Sequence, residues 1–204
     1  MFSPDSKFME ILGRITDLIL LNILFLLTCL PIFTMGAAAT ALYAMCFRLM
    51  REEYKGIVKP YFQAFWDNFR QSTLIWLLLL LVVGPGLYYF YVVFSLDSLL
   101  RYLAFLFVLL ALLSAMTASY AFPWISQFEN TTAQALKNAL ILCLSHLPRS
   151  FAILVINNLP LIIWFFSPEL FIQISFLWVA LYFAAAAYMN TGILWHVFKP
   201  YRNA

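Results

Sequence analysis

Four stretches of this chain are long apolar runs, at about 15–34, 73–94, 102–124 and 170–195. A helix needs about 20 such residues to cross roughly 30 Å of hydrocarbon. Segments of this kind fold as helices because lipid offers no partner to a free backbone N–H or C=O. The composition agrees: 65% of the 204 residues are hydrophobic and 10% charged, against about 25% charged in a soluble domain. A chain of this size has too little interior to hide so much apolar surface from water. The expected fold class is an all-α polytopic membrane helical bundle.

Two further crossings are weaker by hydropathy. One runs from about Ser150 to Ser167 and holds Asn157, Asn158 and Pro160, so neighbouring helices must satisfy its freed backbone groups. The other is "MGAAATALYAMCFRLMREE" (Met35 to Glu53), where only about a dozen residues separate Gly36 from Arg48. Positive charge decides the second case, because Lys and Arg in short loops favour the cytoplasm. If Gly36 to Leu49 returns the chain inward, eleven of the twelve basic residues fall on one side and only Arg101 on the other. If it does not cross, Arg48, Arg51, Lys55, Lys59 and Arg70 part company with Lys7 and Arg14. Six transmembrane helices in three hairpins are expected, with both termini cytoplasmic and short outer loops near Pro31–Met35, Ser95–Arg101 and Ser167–Glu169. Ser3, Asp5, Lys7, Glu10 and Arg14 interrupt the N-terminus and no small-residue cleavage site follows, so the first span is expected to stay in the mature protein.

The hairpins share a pattern. "TALYA" (Thr40–Ala44) recurs as "TASYA" (Thr117–Ala121), with "AAAYM" (Ala185–Met189) in the matching place of the last inward span. "FMEILGR" (Phe8–Arg14), "FQAFWDNFR" (Phe62–Arg70) and "QALKNALILCLSHLPR" (Gln134–Arg149) each end in arginine before an outward span and can each form an amphipathic interfacial helix. In the second, Phe62, Phe65, Trp66 and Phe69 share a face; in the third, Leu136, Leu140, Cys143, Leu144 and Leu147 do, with Thr131 and Gln134 fitting a capping box. The chain therefore reads as one integral membrane domain, 1–204, with repeat-like units of about 1–58, 59–130 and 131–204. An even number of spans per unit keeps orientation, so any pseudosymmetry axis lies along the membrane normal.

Gly36, Thr40 and Ala44 recur every four residues, the spacing that lets helix backbones approach closely in lipid. Tyr43, Tyr120 and Tyr188, with Asn157, Asn158 and Asn190, either pack and bond helix to helix or line a cavity. Asn22 is a further deep amide. Asp17, three residues after Arg14, is expected to make a local ion pair there. Arg51, Glu52 and Glu53, with Phe65, Trp66, Asn68 and Phe69, form a charged and aromatic surface that either anchors in headgroups or docks a partner.

No HExxH, GxSxG, Walker A or GxGxxG pattern is present, and Cys29, Cys46 and Cys143 stand singly with no zinc-type spacing. No enzymatic activity, cofactor or metal is expected. The net charge of +3 follows from topology and anionic inner-leaflet lipid and does not imply nucleic acid.

Asn22, Pro31, Thr34 and Gly36, followed by Ala41-Leu42-Tyr43 and "FQAFWDNFRQS" (Phe62–Ser72), resemble the YesL-like family of bacterial polytopic membrane proteins, a domain of unknown function. Later matches are confined to Ala135, Asn138 and Pro148-Arg149. The resemblance carries no catalytic residue. It implies a bacterial plasma-membrane protein that accompanies carbohydrate ABC importers and glycan-degrading enzymes in gene clusters. The leading expectation is an accessory subunit for carbohydrate ABC import that contacts the permease and membrane lipid. The competing expectations are a stand-alone channel or facilitator for a small neutral solute, and a membrane assembly factor; a homo-oligomer is compatible with each.

Overall fold

The computed structural model describes residues 7–94 and 101–202, and among them every regular element is a helix. In chain order these are α1 (Lys7–Cys29), α2 (Met35–Arg51), α3 (Val58–Asp67), α4 (Phe69–Phe94), α5 (Arg101–Ile125), α6 (Thr132–Ser145), α7 (Leu147–Phe166), the short α8 (Pro168–Gln173) and α9 (Ser175–Arg202). Among the described residues, six helices are long and apolar enough to cross a membrane: α1, α2, α4, α5, α7 and α9. Large apolar side chains such as Leu81, Phe105, Phe151 and Phe165 point outward from them, as they do where lipid is the solvent. The protein is a multi-pass, all-α membrane bundle. The expected outer loop at Ser95–Arg101 lies outside the described residues, apart from the backbone of Arg101 at the start of α5.

The first span ends earlier than its hydropathy predicts. Pro31 disfavours helical backbone at Leu30, and α1 stops at Cys29 before a single 3₁₀ turn, Ile32–Thr34. Thr34 holds that turn by donating from Oγ1 to the carbonyls of Thr28 (2.5 Å) and Pro31 (2.7 Å). Trp76 of α4 caps it from outside, its Nε1 donating to Ile32 O at 2.8 Å.

The questionable second crossing is the centre of the molecule. In the most apolar 18 residues of its Ile32–Arg51 span 72% are buried, against 11–39% in the corresponding stretches of the other five spans, so protein rather than lipid surrounds α2. That explains its composition: Ala37, Ala38, Thr40, Ala41 and Ala44 are small enough to admit neighbours on several sides. Gly36 marks the tightest approach. A Cβ there would stand 2.4 Å from the Ser72 carbonyl oxygen and 2.7 Å from Trp76 Cβ of α4. One turn on, Thr40 Oγ1 and Ser72 Oγ share a buried hydrogen bond of 2.8 Å.

The amphipathic segments behave differently from one another. "FMEILGR" is not a separate helix but the first two turns of α1. α3 and α6 are separate, and each folds back along the helix before it. Tyr61 of α3 bonds Thr28 Oγ1 at 2.7 Å, near the end of α1 opposite Arg14; Cys143 of α6 lies 4.0 Å from Thr117 Oγ1, two turns before α5 ends. Their buried faces also differ from the expected stripes. In α3, Tyr61, Ala64 and Phe65 go inward while Phe62 and Trp66 are exposed; in α6, Ala135, Ala139, Leu142 and Cys143 go inward while Leu144 is exposed, and Leu147, expected in the same stripe, is the exposed first residue of α7. In α6 small residues take most of the inner face against a closely packed partner and lipid accepts Leu144, whereas α3 seats Tyr61 and Phe65 on either side of Ala64. The capping box that opens α6 is present, Thr131 and Gln134 each accepting from the other's backbone N–H.

Among the described residues, the last span carries the one π-helical stretch. Trp178–Tyr182 of α9 is π-helical, a form that widens the turn and leaves backbone groups without their usual partners. Asn22 of α1, fully buried, supplies them: its Nδ2 donates to Val179 O at 2.5 Å and its Oδ1 accepts from Ala184 N at 3.0 Å. One carboxamide thus bridges two backbone groups five residues apart, the separation of a π-type bond. The inserted side chain and the widened turn are one feature.

Candidate functional site in the bundle core

Where α2, α5, α7 and α9 meet, four side chains form one hydrogen-bonded network. Asn190 of α9, fully buried, donates from Nδ2 to Asn157 Oδ1 of α7 at 2.7 Å and to Tyr43 OH of α2 at 3.3 Å. Asn157 in turn donates to Ser119 Oγ of α5 at 3.2 Å. Asn190 Oδ1 is buried without a partner. A cavity of about 230 Å³ adjoins the network, lined by Tyr43, Ser119 and Asn157 together with Phe25, Phe122 and Phe183. Asn157 is exposed there, so the cavity opens on one side. Tyr182 also lines it, but spends its hydroxyl on the carbonyl of Ile156. Among the described residues the buried polar side chains are amides and hydroxyls, with no Asp, Glu, Lys, Arg or His. Such a site can bind uncharged donors and acceptors.

The remaining sequence candidates fall elsewhere. Gly36 and Thr40 serve the α2–α4 contact. Tyr120 is fully buried and accepts from Ser150 Oγ at 2.9 Å; Tyr188 is half-buried and accepts from Arg14 Nη1 at 3.2 Å. Asn158 turns back on its own helix, donating to Leu154 O. The three tyrosines at matched sequence positions therefore do not share one cavity; each ties its helix to a different neighbour. His146 and His196 each lie against a carbonyl of their own helix, and among the described residues no three His, Cys, Asp or Glu side chains gather where they could hold a metal ion.

The charged surface divides in the same way. Phe65 is buried, Trp66 is exposed, Phe69 is half-buried and packs its ring on both, and Asn68 breaks α3 from α4 by donating to Ala64 O at 2.9 Å. Glu52, in the left-handed region at φ 58°, ends α2 and accepts from Arg14 Nη2 at 2.7 Å; Glu10 accepts from the same nitrogen at 3.1 Å. Asp17 is not the partner of Arg14: it accepts from Tyr54 OH at 2.6 Å, because the loop after α2 brings Tyr54 over that turn of α1. That bond, helped by partial burial, pushes the Tyr54 hydroxyl up from its ordinary 10 to about 12. Arg51 donates to Gln127 Oε1 just beyond α5 and lies 3.8 Å from Glu53. Sequence reasoning named Arg51 but not Gln127, which no local pattern distinguishes.

Asn22, the Pro31–Thr34 turn, Gly36, Tyr43 and Ser72 all sit in the first three helices and the start of α4. Residues 18–90 match DUF624, a family of unknown function. This is the YesL-like family, and the match bears out the resemblance over the same part of the chain. No curated protein and no solved structure matches the chain. The DUF624 segment contributes Tyr43 and Gly36, while Asn157, Asn190 and the π-helical stretch that receives Asn22 lie beyond it.

Proposed function

We propose that this multi-pass protein is an accessory subunit for carbohydrate uptake in a bacterial plasma membrane, without catalysis of its own, and that it acts by contact with an ABC-type permease. The orientation that goes with this reading has both termini in the cytoplasm. The observation that carries it is the character of the core: its polar groups bond mainly to one another, the Tyr43–Asn190–Asn157–Ser119 chain joining four helices, with no Asp, Glu, Lys, Arg or His among the buried described residues. Ion-coupled carriers rely on such ionisable groups. The carbohydrate connection comes from the DUF624 resemblance. Purification of the tagged protein from its native host in mild detergent is expected to recover permease subunits; consistent failure to recover any removes the reading.

The cavity beside Asn157 favours a second reading, a facilitator for a small neutral solute, since amide and hydroxyl groups there match a polyol. Liposomes containing the purified protein alone discriminate: flux of a neutral sugar supports the facilitator, and its absence with permease co-purification supports the subunit. Co-purification with no effect on uptake points instead to an assembly factor.

A further inference from the structure

A second concavity, of about 290 Å³, opens at the charged end of the bundle between the last turns of α2 and α9 and the segment after α5. Arg48, Arg51 and Arg202 converge on it, with Ser126 and Gln127 at its wall. Basic side chains at helix C-termini are what the helix dipole favours, and singly they need no ligand. Their convergence is another matter. Arg51 is tied to Gln127 and lies near Glu53, the one acid paired within the group. Arg48, half-buried, makes no side-chain hydrogen bond or ion pair among the described residues. Arg202 places its guanidinium carbon over the Trp195 ring, 4.0 Å from the centroid, a cation–π contact that favours this position, and its Nη2 is buried with no acceptor. Glu52, the nearest other acid in sequence, is occupied by Arg14. Among the described residues, three arginines therefore line one space with a single carboxylate paired among them, and one charged donor of Arg202 has no acceptor. A buried donor without an acceptor is costly, and a pocket that keeps one is preorganised for an incoming acceptor.

We propose that this pocket binds a phosphoryl group, with Arg48 and Arg202 as its principal donors. The planar guanidinium fork matches phosphate oxygens in pairs, and two unbalanced positive charges suit an anion of one to two charges. The phosphoryl group has two sources, the headgroup of an anionic lipid or a soluble phosphate.

The full-length protein in neutral detergent is titrated with inorganic phosphate at constant ionic strength, and in parallel is placed in bilayer discs of phosphatidylcholine with or without phosphatidylglycerol, reading bound lipid by native mass spectrometry. Arg48→Gln and Arg202→Gln are compared with Lys199→Gln, which removes the same charge from an exposed site outside the pocket. Each pocket variant is expected to weaken binding roughly tenfold, the loss of one charge-assisted hydrogen bond, while Lys199→Gln changes it little. Saturable phosphate binding identifies a soluble ligand; retained phosphatidylglycerol without a phosphate response identifies a lipid headgroup. Binding in neither arm, or equal weakening by Lys199→Gln, overturns the proposal. If Arg48→Gln fails to fold, Arg48→Lys keeps the charge without the fork and is expected to bind several-fold more weakly; unchanged affinity there counts against the site.

Discussion

Adding one methyl group at Gly36 tests the reading of α2 as the packed centre of the bundle. In Gly36→Ala the new Cβ meets the Ser72 carbonyl oxygen at 2.4 Å, where ordinary contact begins at 3.4 Å, and Trp76 Cβ at 2.7 Å. Neither atom is the free end of a flexible side chain, so the α4 backbone must retreat by about 1 Å. A retreat of that size along the same direction takes the Thr40–Ser72 bond from 2.8 Å out of hydrogen-bonding range. Overpacking of this kind costs about 1–3 kcal/mol, and the lost bond about 1 more. Alanine's better helix propensity returns at most about 1 kcal/mol, leaving a net destabilisation of about 1–3 kcal/mol. The assay is reversible unfolding of the purified protein in detergent, followed by helical circular dichroism. Gly192→Ala is the control: nothing lies within 4 Å of a Cβ there, so the same chemical change should be neutral or stabilising by up to about 1 kcal/mol. Gly36→Ala unfolding at or above the parent would refute the close α2–α4 contact and the account of why α2 is made of small residues.

Asn22→Leu removes the side-chain partner of both Val179 O and Ala184 N and is expected to cost about 2–6 kcal/mol, at about 1–3 kcal/mol for each buried group left unpaired; Asn22→Asp, whose carboxyl burial holds protonated so that it still donates and accepts, should fall between it and the parent in the same unfolding assay. The Tyr54–Asp17 bond gives a pH signature: with the folded hydroxyl raised to about 12 from 10, its stabilisation is full below pH 10 and is lost as pH rises through 12. The stability difference between parent and Tyr54→Phe should therefore shrink across that window, and a difference unchanged from pH 9 to pH 12 would count against the bond. For orientation, Lys55→Cys in a background lacking Cys29, Cys46 and Cys143 should resist an impermeant thiol reagent on intact cells, and strong labelling would invert the topology. Lys55 is the better site than its neighbour Gly56, whose φ of +80° tolerates a side chain poorly.

The spans were legible because lipid imposes a length and an apolar composition that can be read residue by residue, and the capping box at Thr131 and Gln134 because both partners lie within one turn. The weak second span needed charge as well as hydropathy, since a helix wrapped in protein has less need of large apolar side chains. What could not be read was pairing over distance. The aromatic stripe of α3 divides between Phe65 inside and Trp66 outside because α3 folds back beside α2, a fact absent from any local pattern. Arg14 chose Glu52, thirty-eight positions away, over Asp17 three positions away, because the loop after α2 delivers both Glu52 and Tyr54 to the same turn of α1. Asn22 could be recognised as a deep amide, but its destination required the π-helical stretch, which has no signature in "WVALY".

The carboxamide of Asn22 couples α1 to α9. Until α1 stands beside α9, the carbonyl of Val179 and the amide of Ala184 lack the Asn22 carboxamide in a medium that supplies no substitute. α9 is thus completed by α1, so assembly of the bundle includes the closing of a seam between segments 157 positions apart. Truncation from either terminus would reopen that seam, however intact the remaining hairpins.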